Sequence, residues 1–236
     1  MLTRRLFCGC LPLAAAATFA STRSHAQSTE CAVYTRERQS SVTPDQALEL
    51  LMEGNKRFVA GETVNCDLIA QVRATAGGQA PFAAVVGCMD SRVPPELVFD
   101  QRIGDIFSVR IAGNFVNTDM IGSLEFAAKV AGVRAIVVLG HSSCGAIRGA
   151  IDKVELGNLT ATLANIRPAV DAASAPGERT SGNSQFVQAV ADANARLAAE
   201  MLTSRSPILG EMVQAGELRI VWAMHDVSTG HVVFQG

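Results

Sequence analysis

Two short segments, distant in the sequence, carry side chains suited to ligating a soft metal ion. Cys88, Asp90 and Arg92 lie in the first segment, and His141 and Cys144 lie in the second. Cys88, His141 and Cys144 form a Cys2His ligand set for Zn²⁺. Three protein ligands leave the fourth tetrahedral position open, which is typical of catalytic zinc and not of structural zinc. Asp90 and Arg92 are close enough in sequence to act at that position, so we predict an enzyme that activates water.

Each of these residues, taken alone, has an ordinary structural explanation. A cysteine at a strand end is commonly a small buried residue, and an Asp–Arg pair is commonly a surface ion pair that adds little stability. The combination favours the metal, because core packing does not require three soft ligands in this arrangement. A structural zinc would need a fourth ligand, for which His225 and His231 are the candidates after residue 26.

The stretches before the two segments predict buried strands. Residues 83–87 and 135–140 are short, continuously apolar and bounded by glycine. Such runs are typical of parallel strands that are covered on both faces. The ligands then follow the carboxyl ends of two strands, which is the edge where open α/β sheets bind ligands. Cys144 is expected at the start of a helix, where backbone amides and the helix dipole favour a thiolate.

Alternating strands and helices predict a single α/β domain with a mostly parallel central sheet flanked by helices. An N-terminal helix is expected to begin with Thr43 as N-cap, Pro44 in the first turn and Gln46 completing a capping box, and to end near Gly61. Further strands are expected at 106–111, 218–224 and 232–234, and further helices at 122–130, 146–156, 158–173 and 184–202, with a short one after Ser206. No glycine-rich dinucleotide motif or Walker loop is present, which excludes the commonest nucleotide-binding functions of such folds.

The composition indicates one globular domain without a nucleic-acid partner. The 236 residues are 48% hydrophobic and 18% charged, which suffices for a sizeable core. The formal net charge of −2 and the absence of a basic stripe with interleaved aromatic residues argue against nucleic-acid binding. Six cysteines are too few in a chain of this length for a disulfide-dense scaffold.

The N-terminal segment predicts export. Arg4 and Arg5, the apolar run 11–20 and the small residues up to Ala26 are similar to a twin-arginine signal peptide cleaved after Ala26. The apolar run is too short for a permanent membrane anchor. We therefore expect a signal peptide at 1–26, a flexible arm at 27–42, a catalytic domain at 43–236 and a periplasmic or secreted protein that is exported folded. Two cysteines, at positions 31 and 66, are expected either to remain free or to form a disulfide.

The chain resembles the β-class carbonic anhydrases over roughly residues 43–234. The matching motifs are Cys-x-Asp-Ser-Arg at 88–92 with Val-Pro-Pro-Glu at 93–96, His-x-x-Cys-Gly at 141–145, and the segments 104–114 and 225–230. The family more often has Asn in place of Ile111 and Tyr in place of His225. Neither departure is at a metal ligand.

The resemblance implies a carbonate dehydratase that reversibly hydrates CO2 to bicarbonate and a proton by attack of zinc-bound hydroxide, with one Zn²⁺ per subunit. It implies that Arg92 holds Asp90 and that Asp90 orients the hydroxide, or becomes a fourth zinc ligand in a resting state. It also implies a homodimer or higher homo-oligomer in which the N-terminal helix packs across the partner. The proton shuttle is not identified; His225 and Tyr34 are candidates.

Three further points remain open at the level of the sequence. The same zinc site could hydrolyse COS or CS2, which are linear heterocumulenes like CO2. The chain could instead be a zinc-binding dimer without turnover, although the Asp90–Arg92 pair argues against this. Gly113 and Asn114 follow the strand predicted at 106–111, and they form either an ordinary turn or a wall of the substrate pocket.

Overall fold

A mostly parallel sheet forms the centre of the computed structural model, which describes residues 31–235; the predicted signal peptide lies outside these residues. The strands are β1 (Ala83–Gly87), β2 (Ile106–Arg110), β3 (Ala135–His141), β4 (Arg219–His225) and β5 (Val232–Gln235). Their order in the sheet is β2-β1-β3-β4-β5. The first four are parallel, and β5 pairs antiparallel with β4. The predicted α/β fold is confirmed.

Helices cover both faces of this sheet. They are α1 (Arg36–Ser40), α2 (Pro44–Ala60), α3 (Leu68–Thr75), α4 (Pro95–Val98), α5 (Thr118–Glu125) with a π-helical continuation (Phe126–Val130), α6 (Gly145–Ile151), α7 (Gly157–Ala164), α8 (Arg167–Ala172), α9 (Ser184–Arg205) and α10 (Pro207–Gln214). The capping box of α2 is present as predicted, and Gly61 ends α2 in the left-handed conformation. None of the helices within 31–235 combines the length and apolar character needed to cross a membrane.

The core consists of apolar layers on the two faces of β1 and β3. Every residue of these two strands is buried, as their continuous apolar sequences predict. One face packs Val85 and Val137 against Leu51 of α2. On the other face, Ile136 and Val138 belong to a cluster that extends to α5, α9 and α10. The two central strands are therefore fixed between helical layers.

The structure differs from the predicted helix boundaries around residues 146–173. The helix expected at 146–156 ends at Ile151, and Lys153 adopts a left-handed backbone conformation just beyond it. The single helix expected at 158–173 is two helices, and Pro168 lies in the first turn of the second. Proline lacks a backbone N–H and is well tolerated only in the first turn, so it begins a new helix here. The short helices α1, α3 and α4 were not predicted.

Residues 31–42 contact the rest of the domain through several side chains, whereas a flexible arm was expected at 27–42. Gln39 is buried, and its side-chain amide donates to the carbonyl oxygens of Pro81 and Ala131 at 2.5 and 2.7 Å. The Tyr34 ring packs against Phe82, with 5.1 Å between ring centroids. This part of the arm therefore lies across the amino ends of β1 and β3. Its polar, non-periodic sequence conceals these contacts because single side chains make them.

A disulfide bond between Cys31 and Cys66 attaches the same arm to the loop between α2 and α3. The structure thus decides between the two alternatives that the sequence leaves open. Val64 in this loop donates its backbone N–H to the Asp100 carboxylate, which also forms an ion pair with Arg57 of α2. The disulfide therefore joins the arm to a loop that is itself bonded to the end of α4.

Candidate metal centre

The pairing of β1 with β3 brings the two predicted segments together. Gly87, the last residue of β1, lies opposite Leu139 in the parallel register. Cys88 therefore follows β1 beside the last residues of β3, of which His141 is the final one. Ser143 turns the chain in a left-handed conformation, and Cys144 is then the N-cap of α6. All three predicted ligands lie at the carboxyl edge of the sheet.

The three ligand atoms form a compact, buried cluster. The two sulfurs and a His141 ring nitrogen all lie within 4.8 Å of one another, and each of the three residues is no more than 3% exposed. The sulfurs of Cys88 and Cys144 are 4.0 Å apart. Two thiolates on one tetrahedral zinc, with Zn–S distances of about 2.3 Å, would be separated by about 3.8 Å. The cluster contains neither His225 nor His231 among the described residues.

The orientation of His141 fits a metal ligand. Its Nδ1 lies 2.9 Å from the carbonyl oxygen of Ser142, a contact in which Nδ1–H donates and Nε2 keeps its lone pair. Nε2 is buried and has no hydrogen-bond partner within residues 31–235. A buried nitrogen without a partner, beside two buried thiols, is the donor set that Zn²⁺ prefers. The residues present therefore fit the predicted zinc ion.

The surroundings of Cys88 favour its thiolate. Hydrogen bonding from the Cys144 thiol is the largest effect that lowers the pKa of Cys88, and contacts with His141 and the Gly113 amide add to it. The Cys88 contact and burial raise the pKa of Cys144, against the backbone amides at the start of α6, which lower it. The contact between the two sulfurs therefore favours the Cys88 thiolate, and a bound dication would favour the deprotonated form of both.

Asp90 and Arg92 form a bidentate ion pair beside the ligands. Arg92 donates from Nε and from a terminal nitrogen to the two Asp90 oxygens at 2.9 and 2.7 Å. The backbone N–H of Arg92 also donates to Asp90 at 3.0 Å. These hydrogen bonds hold the pKa of Asp90 well below its usual range. Asp90 Oδ2 lies 3.9 Å from His141 Nε2, so the carboxylate faces the ligand cluster.

Arg110, which was not among the predicted site residues, clamps the backbone of the first segment. Its Nε donates to the carbonyl oxygen of Cys88 at 2.9 Å, and a terminal nitrogen donates to that of Asp90 at 2.6 Å. Arg110 is the last residue of β2, which pairs with β1. The sequence predicts that β2 ends at this edge of the sheet, but it does not indicate which backbone groups the Arg110 side chain binds.

The loop after β2 contacts a ligand directly. The backbone N–H of Gly113 donates to the Cys88 sulfur at 3.3 Å. Gly113 has a φ of 84°, and a Cβ at this position would lie 2.4 Å from Ile166 Cδ1, so glycine is required here. The neighbouring Asn114 is buried in a left-handed conformation. Unlike an ordinary turn, this loop therefore contacts a predicted metal ligand and requires glycine at one position.

The two candidate proton shuttles lie in different parts of the fold. Tyr34 packs at the amino ends of the strands, at the opposite edge from the ligands. His225 pairs with His141 in the β3–β4 register and lines a cavity of about 450 Å³ with Ser142, Asp226 and His231. Burial, and secondarily the proximity of His141, lowers the pKa of His225 to about 4. Position therefore argues against Tyr34 and leaves His225 near the site as a neutral side chain.

Comparison with known proteins identifies relatives of this chain. A family model described as carbonic anhydrase matches residues 83–232. Carbonic anhydrase 2 of Mycobacterium tuberculosis is 36% identical over 198 residues, which cover 83% of this chain and 94% of that protein.

Solved structures share the fold. The β-carbonic anhydrase CafA of Aspergillus fumigatus superposes with a TM-score of 0.62 at 24% identity, covering 71% of this chain and 81% of that one. A tetrameric β-carbonic anhydrase of Sordaria macrospora superposes with a TM-score of 0.60 at 24% identity, covering 71% and 90%.

The cluster predicts one bound zinc per chain, and Cys144→Ser should remove it. A serine hydroxyl is a poor replacement for a thiolate ligand, so we expect zinc content to fall from about one per chain to near zero. Elemental analysis after dialysis against a weak chelator measures this. The matched control is Cys31→Ser with Cys66→Ser, which removes two cysteines outside the cluster and should retain full zinc. Full zinc in Cys144→Ser would contradict the assignment.

Proposed function

The chain belongs to the β-class carbonic anhydrases and is a carbonate dehydratase, and we propose that it hydrates CO2 at a zinc ion held by Cys88, His141 and Cys144. The observation that carries this proposal is the buried convergence of two sulfurs and an unpartnered imidazole nitrogen at one edge of the sheet. When bound, zinc lowers the pKa of a coordinated water to near 7 and so supplies a strong nucleophile at neutral pH.

Asp90 has the role of orienting the attacking oxygen. It is ionised at neutral pH because Arg92 binds both of its oxygens, so it can only accept hydrogen bonds. A carboxylate that accepts a hydrogen bond from the attacking oxygen leaves a lone pair of that oxygen directed at CO2. The position of Asp90 Oδ2, on the side of His141 Nε2, supports this role. The pairing with Arg92 favours the open arrangement over the resting state in which Asp90 is a fourth ligand.

Arg92 and Arg110 act by holding the first segment in place. Arg92 is half exposed and bridges Asp90 to the carbonyl oxygen of Ser143, which it contacts at 3.4 Å. Arg110 binds two backbone carbonyls of the same segment. The two guanidinium groups also place positive charge beside an anionic product, which attracts bicarbonate to the edge of the site.

The relatives favour CO2 over the other substrates considered. The family model and the mycobacterial relative are both described as carbonic anhydrases. COS and CS2 have the same linear shape and would use the same nucleophile, so a direct comparison of rates decides between them. Because the chain is a carbonate dehydratase, the alternative of a zinc-binding dimer without turnover is not retained.

A homodimer is proposed from the edge of the sheet formed by β2. Within the described residues, β2 pairs only with β1, so its outer edge has unpaired backbone groups. Phe126, whose ring centroid lies 6.5 Å from that of Phe107 on β2, is 52% exposed, and Val130 on the same π-helical segment is 64% exposed. A cavity of about 540 Å³ between Phe107 and Phe126 adds to the apolar surface. A second copy that pairs along β2 would bury these groups, whereas a monomer would leave them in water.

Export is proposed from the N-terminal segment together with the disulfide. Cys31 and Cys66 both follow the expected cleavage site after Ala26, and their bond would persist in an oxidising compartment such as the periplasm. We propose that residues 1–26 are removed after transport of the folded protein. The catalytic domain then comprises residues 43–236, with the disulfide-bonded arm in front of it.

Asp90→Asn should lower kcat/KM for CO2 hydration about 10- to 100-fold while zinc content stays at one per chain. The amide loses part of its acceptor capacity and its bond to Arg92, but the three ligands are unchanged. Stopped-flow measurement with a pH indicator gives the rate, and Asp171→Asn, at an exposed position on α8, is the charge-matched control. An Asp90→Asn enzyme as fast as the parent would refute the role of Asp90.

The parent enzyme assayed with COS and CS2 tests the choice of substrate. Faster turnover of either compound than of CO2 would refute CO2 as the substrate.

Phe126→Asp should shift the protein from dimer to monomer. A carboxylate at the proposed interface would be buried without a partner, which costs several kcal/mol. Light scattering coupled to size-exclusion chromatography should show a mass about half that of the parent. Leu156→Asp, at a residue that is 67% exposed elsewhere on the surface, is the control and should remain dimeric. A parent that is already a monomer, or an unchanged mass in Phe126→Asp, would exclude this interface.

Expression of the full chain in a bacterium with twin-arginine transport should yield a periplasmic protein that begins at Gln27. Its intact mass should equal that of residues 27–236 less two hydrogens for the disulfide. Replacing Arg4 and Arg5 by lysine weakens the signal without changing its charge, so this variant should accumulate uncleaved in the cytoplasm. Equal export of the lysine variant would show that another route is used.

A further inference from the structure

Asn194 is a buried polar residue in a part of α9 that otherwise buries alanine. It is 4% exposed, while Ala191, Ala195 and Ala198 on the same helix are 3% exposed or less. Its side-chain Nδ2 donates to the carbonyl oxygen of Gly113 at 2.7 Å, in a hydrogen bond that is itself buried. A buried amide in an apolar helix face costs free energy unless its hydrogen bonds compensate. The hydrogen bond to the Gly113 carbonyl oxygen therefore accounts for a polar side chain at this buried position.

That partner is the residue whose N–H contacts the Cys88 sulfur. Gly113 donates to Cys88 Sγ at 3.3 Å through its nitrogen and accepts from Asn194 through its oxygen. Ile166 packs so closely against Gly113 that a Cβ would lie 2.4 Å from Ile166 Cδ1. The backbone of Gly113 is thus held by packing on one side and by one side-chain hydrogen bond on another.

An N–H group that donates to a thiolate ligand changes the negative charge that the sulfur donates to the metal. Two thiolates largely neutralise a zinc dication, which opposes the lowering of the water pKa more strongly than neutral imidazoles do. A hydrogen bond to a charged sulfur withdraws electron density from it and stabilises it. The Gly113 amide therefore reduces the charge that Cys88 donates to zinc, provided that the amide keeps its direction.

We propose that Asn194 is a positioning residue that holds the Gly113 amide on the Cys88 sulfur and thereby tunes the thiolate for zinc. The inference rests on the proposed zinc site and adds to it a residue of α9, far from the ligand motifs in sequence. Asn194 touches neither the metal ligands nor the reacting atoms directly; it acts through one backbone group.

Two variants of Asn194 test this role. Asn194→Leu removes the donor, and the cavity of about 230 Å³ that Asn194 lines leaves room for the new side chain. Asn194→Asp keeps the shape but replaces the donor with an acceptor, so it keeps the test decisive if the first variant does not fold. Leu202→Val is the control: it creates a small cavity in the same helix and lowers stability without touching Gly113.

The readouts are zinc affinity and the absorption spectrum of the Co²⁺-substituted protein. Competition with a chromophoric chelator should show that both Asn194 variants bind zinc about 10- to 100-fold more weakly than the parent, the usual cost of losing an outer contact of a metal ligand. The sulfur-to-cobalt charge-transfer band should move to longer wavelength, because a sulfur without its N–H donor is more electron-rich. Leu202→Val should show neither change.

Two results would overturn the proposal. Parent-like zinc affinity and an unshifted cobalt band in the Asn194 variants would reduce Asn194 to a structural tether between α9 and the loop. The same changes in Leu202→Val would show that they follow from general loosening of α9. A parent that binds no zinc would instead refute the metal site itself, which separates failure of the proposed function from failure of this inference.

Discussion

The parallel pairing of β1 with β3 is the constraint on which the site depends. Cys88 follows one strand and His141 ends the other, so their distance is set by the register that aligns Gly87 with Leu139. A slip of one residue would turn every side chain of a strand to the opposite face of the sheet and separate the sulfur from the imidazole. Burial of both strands between helical layers opposes such a slip, because the apolar contacts of the core would be lost with it. The packing of the core therefore also fixes the positions of the candidate metal ligands.

The charges at the site balance through a small number of contacts. Two thiolates and the Asp90 carboxylate would repel one another in a buried, water-poor environment. The guanidinium groups of Arg92 and Arg110 and the Gly113 amide supply opposing charge and hydrogen bonds, and a bound zinc dication would supply the rest. Arg92 keeps the negative charge of Asp90 on the carboxylate at working pH. These contacts share residues with one another, so the proposed effect of Asn194 would reach Cys88 through the Gly113 backbone.

The amino edge of the sheet is covered by the N-terminal arm and carries none of the three candidate ligands. There the disulfide-bonded arm, with Tyr34 against Phe82 and Gln39 on two backbone carbonyls, covers the amino ends of the strands. Asn55 of α2 joins this helix to α4 and to the turn before β5, since its amide donates to the carbonyl oxygens of Val98 and Gly230. The candidate metal ligands lie at the carboxyl ends, which is where open α/β sheets bind ligands.

The ligand set and the elements that carry it could be read from the amino-acid sequence, because both depend on local patterns. Apolar runs before Cys88 and His141 identify buried strands, and the Thr43–Gln46 capping box identifies the start of α2. Each of these signals lies within a stretch of a few residues, so no knowledge of distant contacts is needed to read it. The same is true of the Asp90–Arg92 pair, whose members are two positions apart.

Other features were decided by the tertiary structure alone, because they join residues that are far apart in sequence through single contacts. The Cys31–Cys66 bond, the Arg110 clamp and the path from Asn194 through Gly113 to Cys88 leave no periodic pattern. The sequence by itself therefore determined which side chains form the candidate metal cluster and on which edge of which fold they lie. Only the packing of α9 and β2 against the loops decided how those side chains are held, since hydrogen-bond direction follows from three-dimensional position.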